Sequence, residues 1–441
     1  MKRSIEASLI EDYTHPIRDV LWGHIYMTEK FANLTESAPF MRLNRIMQLG
    51  PVYLVYPGAT HTRASHSIGV YHIGRRLLQN LAERGASWLT HEGVKSFLAA
   101  CLLHDLGHFP YTHSLKELSL SSHESLSGSI ILKEPMKSLV GATGADPALT
   151  AAIVDKEMPL KAGLNDFNTE LSFYRKLLSG ALDPDKLDYL NRDARYCGVP
   201  YGAQDVDFIL SRLYPDKDRG ADIDSKLIPN VESILFSKYL MYRTVYWHRQ
   251  VRAATAMVKK ALITSLKSGK ISVEDLYHLD DTSLFSLLAG TKGKKAGGQG
   301  EFAFSGENSL AEAVSEGRIF ATAAEIPCAN ADLTSIREIH LRANLEEQLA
   351  ARLRNEGLEI KGEDVILDIP EPISFETGLY VLDEERSFSE SSSAFKTETV
   401  NAFIQTLYII RVFINQKYRE TIKTFPQLCC ILNEMIKPSK F

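Results

Sequence analysis

The sequence predicts a mainly helical protein whose C-terminal part is a smaller α+β region. Three observations lead there. Apolar residues recur at the spacing of one helix face in Phe40, Leu43, Ile46 and Met47, and again in Ile68, Val70, Ile73, Leu77, Leu78 and Leu81. A chain of 441 residues exceeds the roughly 250–300 residues at which a single core stops growing, so two units are expected. From about Ala311 the pattern shortens into a helix over 336–353 and strands over 364–369 and 379–382. The expected division is a helical domain over 1–288, a flexible Gly/Lys-rich loop over 289–310, and a smaller α+β region over 311–441 that ends in a helix.

Each element has a local reason. The helical stretch 35–49 ends at Gly50-Pro51 and leaves Gln48 and Leu49 at its C-terminal edge. Residues 52–56 are β-branched and aromatic, a short strand or extended connection stopped by Pro57-Gly58. The next apolar helix carries His66 in its first turn. The run Phe97-Leu98-Ala99-Ala100-Cys101 is followed by His104 and Asp105, and Gly107 and Pro110 close the helix just behind them. Ser121-Ser122-His123-Glu124 has the composition of a helix start. Pro184 fixes another, where Asp185, Lys186, Asp188 and Arg192 would ordinarily form a solvated face with ion pairs worth about a few tenths of a kcal/mol.

Residues 235–266 read as one long amphipathic helix carrying Lys238, Arg243, Tyr246, His248, Arg249 and Arg252, a density of cations and aromatics that suits either a solvated face or a phosphate-rich ligand. The basic, glycine-rich stretch 290–300 lacks the order of a phosphate-binding loop and reads as a mobile connector or lid. Residues 400–414 are apolar at helical spacing and are expected to pack on the core or on another subunit.

Composition narrows the class. With 44% hydrophobic and 24% charged residues and a net charge of -5, the chain is ordinary for a soluble protein, and no nucleic-acid surface is indicated. The five cysteines, Cys101, Cys197, Cys328, Cys429 and Cys430, form no C-x-x-C pair, which argues against a zinc ribbon or disulfide framework and for a reducing cytoplasm. The N-terminus lacks the apolar core of a signal peptide, and no run approaches the ~18 apolar residues of a membrane span.

The stretch LLHDLGHFPYTH, residues 102–113, concentrates the chemistry. A lone buried histidine is ordinarily a hydrogen-bonded core residue. Here eight of the 13 histidines, His61, His66, His72, His91, His104, His108, His113 and His123, lie close together in sequence. Burying such groups unpaired is costly, and a divalent cation that takes imidazole nitrogen and carboxylate oxygen compensates. His104 and Asp105 are therefore metal candidates, and His66 joins them if the helices on either side pack together.

The order His66, His104-Asp105, Asp185 resembles that of the HD-domain phosphohydrolases. QLGPVYLVYPGATHTRASHSIGV, LLHDLGHFPYTHSL, His123-Glu124 and LDPDKLDYLNRD resemble more narrowly the deoxynucleoside triphosphate triphosphohydrolase branch, over roughly Asp19 to Arg252 and weakly beyond about Leu288. The resemblance implies an HD-type helical core. It implies His66, His104, Asp105 and Asp185 as ligands of one divalent ion (Fe, Mn, Mg, Ni or Zn), and His108 and His123, with Glu124 orienting the latter, as catalytic groups beside the α-phosphate. It implies phosphate contacts at His113, Arg63, Lys186 and Lys238, and sugar contacts at Gln48, Leu49, Tyr189, Asp193 and Tyr246.

The implied reaction is attack of metal-activated water at the α-phosphate of a deoxynucleoside triphosphate, releasing deoxynucleoside and inorganic triphosphate. A homo-oligomer, tetramer or dimer, and an activating nucleotide are implied as well. Two other readings remain: an HD phosphodiesterase or nucleotidase acting on another nucleotide, and a non-catalytic nucleotide sensor, although all four metal-type residues are present.

Overall fold

The computed structural model describes residues 5–158 apart from 116 and 119, then 167–288, 308–328, 334–423, 428 and 431. The connector expected over 290–300 lies outside the described residues, as do Cys429 and Cys430. The fold is mainly helical with small sheets, an HD-type helical core joined to a smaller α+β C-terminal region.

The helix Arg63–Glu83 is the axis of the core. Its Thr62 cap accepts from Ser65 N–H, and Val70, Ile73, Leu77, Leu78 and Leu81 form its buried face. The helices His91–Leu103 and Pro184–Cys197 pack against it. His91–Leu103 is buried at every position from Ser96 to Leu103, so it has no polar face over its last two turns and sits in the middle of the bundle. Close approach is possible because Gly69 faces Asp188 and Gly74 faces Cys101. Pro184–Cys197 starts on Asp183, which accepts from Lys186 N–H, and ends at Gly198, whose φ of 66° suits a residue without a side chain.

The C-terminal region carries a three-stranded antiparallel sheet in the order Ala321–Pro327, Ile409–Ile414, Val365–Asp368, with Ile414 opposite both Ala321 and Val365. Helix Ile339–Asn355 packs on it. A second sheet joins the two parts, since Gly220–Ile223 pairs with Tyr380–Val381.

Four expectations are corrected. Residues 400–414 are not one helix: Thr397–Leu407 is helical, and Ile409–Ile414 is the central strand of the sheet. Partners on both edges and apolar neighbours on both faces bury this β-branched run, and such a run does not alternate in sequence. Its apolar surface is therefore covered within the chain.

The helix expected over 235–266 is broken. Ile228–Met241 passes into a π-helical turn, Tyr242–Tyr246, and Arg249–Lys267 starts afresh at His248, an interruption of the kind found at functional sites. Helical structure over 35–49 stops at Arg45, because Met47 pairs with Thr62 and Gln48 N–H bonds the His61 carbonyl (3.0 Å). Residues 52–56 are not a strand; Gly50–Leu54 is a 3-10 helix, with Pro51 at its start.

Candidate active site

A cavity of about 450 Å³ opens where these elements meet. His66 comes from the first turn of its helix, His104 caps the end of the next, Asp105 follows it, and Asp185 lies in the first turn of Pro184–Cys197. The His66 and His104 rings stand edge to face with centroids 5.3 Å apart. His66 Nε2 lies 2.9 Å from Asp185 Oδ1, His104 Nε2 lies 3.3 Å from Asp105 Oδ1 and 4.0 Å from Asp185 Oδ1, and ligand atoms of His66, His104 and Asp105 fall within 4.8 Å of one another.

The backs of both rings are tied. His66 Nδ1 pairs with Asp188 Oδ2 (2.8 Å), and His104 Nδ1–H donates to the Cys101 carbonyl (2.9 Å). With Nδ1 tied back, each Nε2 points inward, where a neutral ring would offer its lone pair to a cation, the arrangement of metal-binding histidines. Two such nitrogens and two carboxylates converging on one point fit a divalent cation. Burial alone would push the His66 imidazole down, but hydrogen bonds to Asp185 and Asp188 and their charges lift it to about 10, so the pocket favours a positive charge there. Asp105 is held well below the usual carboxylate range: burial opposes this, and His104, His108 and Arg63 outweigh it.

Asp188 and Arg192 form a buried ionic layer behind the site. Both side chains are 0% exposed. Arg192 grips Asp188 through Nε and Nη2 (2.8 and 2.9 Å) and reaches Asp19 through Nη1 (2.9 Å), while Trp22 Nε1–H donates to Asp188 (2.6 Å). The pair Asp188 and Arg192, whose spacing would ordinarily mark a solvated face, is thus part of the core. Its signal in the sequence was the i, i+4 spacing of Asp188 and Arg192; Asp19 and Trp22, more than 160 residues away, gave none.

On the other side of Asp105, His108 Nε2 lies 3.1 Å from Asp105 Oδ1, and the His108 and His123 rings have centroids 3.9 Å apart. His113 stands 4.9 Å from the first and 5.2 Å from the second. Ser122 caps the helix that begins at His123, and His123 Nδ1 pairs with Glu124 (3.2 Å). Burial lowers the pKa of both His108 and His123, which keeps these imidazoles neutral near pH 7.

Gln48, Leu49, Tyr189, Asp193 and Tyr246 line the same cavity, as do Arg63 and His113. Tyr246 O–H donates to Asp193 Oδ2 (2.5 Å), whose other oxygen meets His61 Nε2 (2.8 Å). Gln48 Oε1 is buried without a hydrogen bond among the described residues. Arg63 donates Nη1–H to Asp105 Oδ2 (2.8 Å).

Glu124, Lys186 and Lys238 do not line the cavity. Lys186 is held by Asp183 (2.7 Å) and the Gly180 carbonyl (3.1 Å), and Lys238 by the Ser374 carbonyl (2.9 Å) and Glu376 (3.1 Å). Sequence reasoning missed three further residues at the site. Asp281 accepts from Met47 N–H (2.8 Å), Glu371 binds Arg252 (2.9 Å), and Arg42 fastens the Leu106 and His108 carbonyls (2.7 and 2.8 Å). No spacing rule links such distant positions.

The HD domain family matches residues 63–146, and the HD associated region matches 216–433. The chain belongs to the HD-domain phosphohydrolase superfamily and is a metal-dependent phosphohydrolase. The kinship reaches well past Leu288, where the motifs read from the sequence faded. An uncharacterized protein of Methanocaldococcus jannaschii is 30% identical over 373 residues, 84% of this chain and 72% of that protein. The deoxynucleoside triphosphate triphosphohydrolase SAMHD1 of Bos taurus is 25% identical over 315 residues, 63% of this chain and 53% of that enzyme. A phosphohydrolase from Bacteroides thetaiotaomicron, 22% identical, superposes with a TM-score of 0.70 over 91% of this chain and 100% of the other, a likeness of fold. No helix among the described residues is long and apolar enough to cross a membrane.

Proposed function

We propose that this chain hydrolyses deoxynucleoside triphosphates to deoxynucleoside and inorganic triphosphate. The observation that carries the reading is one cavity lined together by the cluster His66, His104, Asp105 and Asp185, by the trio His108, His113 and His123, and by Gln48, Leu49, Tyr189 and Tyr246. In this proposal a divalent cation held by His66, His104, Asp105 and Asp185 supplies a water of lowered pKa and neutralises charge on the phosphoryl group. His66 and His104 keep their Nε2 atoms directed inward because Asp188 and the Cys101 carbonyl hold their Nδ1 atoms. His123, neutral in its buried setting and backed by Glu124, moves a proton at the α-phosphate, with His108 beside it. Arg63 and His113, which line the cavity, hold the phosphate tail, while Leu49 and Tyr246 enclose the sugar and Gln48 contacts it.

The test is an assay of purified protein with each deoxynucleoside triphosphate that detects inorganic triphosphate. Asp105→Ala should lose tight metal binding, and His123→Ala should keep the metal but turn over about 10²–10⁴ times more slowly. A 2′-hydroxyl would be buried unpaired at a cost of about 1–3 kcal/mol plus a clash, so dGTP should exceed GTP by at least about tenfold. Equal hydrolysis of the two would replace this reading with a broader nucleotide phosphohydrolase. Assembly into a dimer or tetramer and the need for an activating nucleotide belong to the same proposal and now rest on the resemblance alone, because residues 409–414 are buried inside the chain. Light scattering at micromolar concentration tests the first.

A further inference from the structure

The loop that leaves the helix His91–Leu103 is held from two sides. On one side Gly107 N–H donates to Ser127 Oγ (2.8 Å) and Ser127 O–H donates to the His104 carbonyl (2.7 Å). A side chain at Gly107 would meet the His123 carbonyl and Ser127 N–H, so the loop lies directly against the helix that starts at His123. On the other side one guanidinium takes three carbonyls. Arg42 donates through Nη1 to His108 (2.8 Å) and Leu279 (3.0 Å), and through Nη2 to Leu106 (2.7 Å). Leu106 and His108 bracket Gly107, so a rigid planar fork sets the turn from which the His108 ring departs.

We propose that Arg42 is a positioning residue for phosphoester hydrolysis, which acts through the Leu106 and His108 carbonyls to hold the His108 ring against His123 and takes no part in holding the metal. The inference rests on the reading of His108 and His123 as the groups that work beside the scissile phosphate.

The anchoring of the loop separates the two tasks. Without Arg42, His104 keeps its Nδ1 on the Cys101 carbonyl and its own carbonyl on Ser127, and Asp105 keeps Arg63 (2.8 Å). His108 has less to fall back on. Its Nδ1 is buried with no hydrogen bond among the described residues, so the ring is placed by Asp105 (3.1 Å), by the His123 ring (3.9 Å between centroids) and by the backbone that Arg42 grips. Burial lowers the Arg42 pKa to about 10 against the pull of Asp280, and the group is still cationic at neutral pH. The carbonyls it binds follow a helix C-terminus, where a cation is favoured.

The experiment compares Arg42→Ala, Arg42→Lys and Arg45→Gln in the full-length, metal-loaded protein, with metal content measured and dGTP hydrolysis followed by release of inorganic triphosphate. Arg42→Ala should keep its metal and its KM while kcat falls by about 10²-fold, the cost of a small misplacement of a reacting group. Arg42→Lys, whose single ammonium cannot span the carbonyls on both sides of Gly107, should fall between, and it carries the comparison if the alanine variant does not fold. Arg45→Gln breaks an ion pair with Asp280 (2.5 Å) at the same junction but touches no carbonyl of the loop, so it should turn over like the unmodified protein. Loss of metal in step with activity, a raised KM in place of a lowered kcat, or an equal loss in Arg45→Gln overturns the proposal. Hydrogen exchange reads the loop without turnover: residues 106–112 should exchange faster in both Arg42 variants and not in Arg45→Gln, while 124–131 stay protected in all three. A chain that cleaves no dGTP yet shows this pattern keeps Arg42 as the group that positions His108 and loses only the substrate reading. A deoxynucleotidase whose kcat and loop exchange are unchanged by the Arg42 substitutions does the reverse.

Discussion

Replacing Asp188 by Asn tests how strongly the metal cluster depends on the buried layer behind it. Each carboxylate oxygen of Asp188 accepts two hydrogen bonds: Oδ1 from Trp22 (2.6 Å) and Arg192 Nη2 (2.9 Å), Oδ2 from His66 (2.8 Å) and Arg192 Nε (2.8 Å). A carboxylate has about four acceptor sites, and all are used. An amide keeps one oxygen and turns two N–H donors toward groups that are themselves donors. Two charge-assisted bonds are lost at about 1.5–3 kcal/mol each, and of the two carboxylates that pair with Arg192 only Asp19 remains.

No solvent softens this, because both side chains are fully buried. The expected loss of stability is about 3–5 kcal/mol, the range for breaking a buried ion pair. Metal affinity should also fall by about 10–100-fold, since His66 loses the charge of the partner that orients it. Urea denaturation in the presence of chelator isolates the stability term, and competition titration with a chromophoric chelator reads the affinity. A loss below about 1 kcal/mol together with unchanged metal affinity would refute the assignment of Asp188 as the organising group.

Two further perturbations probe the same helix contact and the acid limb. A methyl group at Gly69 would stand 1.9 Å from Asp188 Oδ1 and 2.5 Å from Arg192 Nη2. Gly69→Ala should therefore cost at least about 1–3 kcal/mol and lower Tm, and an unchanged Tm would show that the helices separate freely. His72 is driven down to about 4 by burial and by the Arg76 and Arg75 charges. The unfolded chain takes up this proton near 6.5 and the folded one only near 4, so its contribution is present above pH 6.5 and lost as pH falls toward 4, at most about 3 kcal/mol. The stability of His72→Gln should fall less steeply than that of the unmodified protein between pH 6.5 and 4, as read by denaturation midpoints at stepped pH; parallel curves would contradict it.

What could be read from the sequence followed contact range. His66, His104, Asp105 and Asp185 converge because each sits at a helix terminus, and termini carry local signals: Thr62, Gly107, Pro184. The same logic located Ser122-His123. It failed where one pattern admits two structures. Five of the six residues 409–414, all but Arg411, are apolar whether they form a helix face or a doubly covered strand, and only the edges supplied by 321–327 and 365–368 decide for the strand. The contacts of Asp188 and Arg192 with Trp22 and Asp19 were not legible, because those partners lie more than 160 residues away in sequence. Glu371 reaches the cavity from beyond residue 365, on a segment with no periodicity to detect.

The geometry of Pro184–Cys197 explains how one short helix serves two layers at once. Asp185, Tyr189 and Asp193 are spaced four apart and all line the cavity, while Asp188 and Arg192 lie on the buried side that meets Arg63–Glu83. At 1.5 Å per residue the cavity-facing row is about 12 Å long, running from the metal cluster at Asp185 to the Tyr246 contact at Asp193. A compact phosphoester would engage the first of these residues and leave the other two idle. An elongated ligand, anchored by phosphate at the cluster and extending along the row, uses all three. The burial that fixes the opposite face lets this row hold its spacing without the ligand, so the ordering cost is met when the chain folds rather than when the ligand binds.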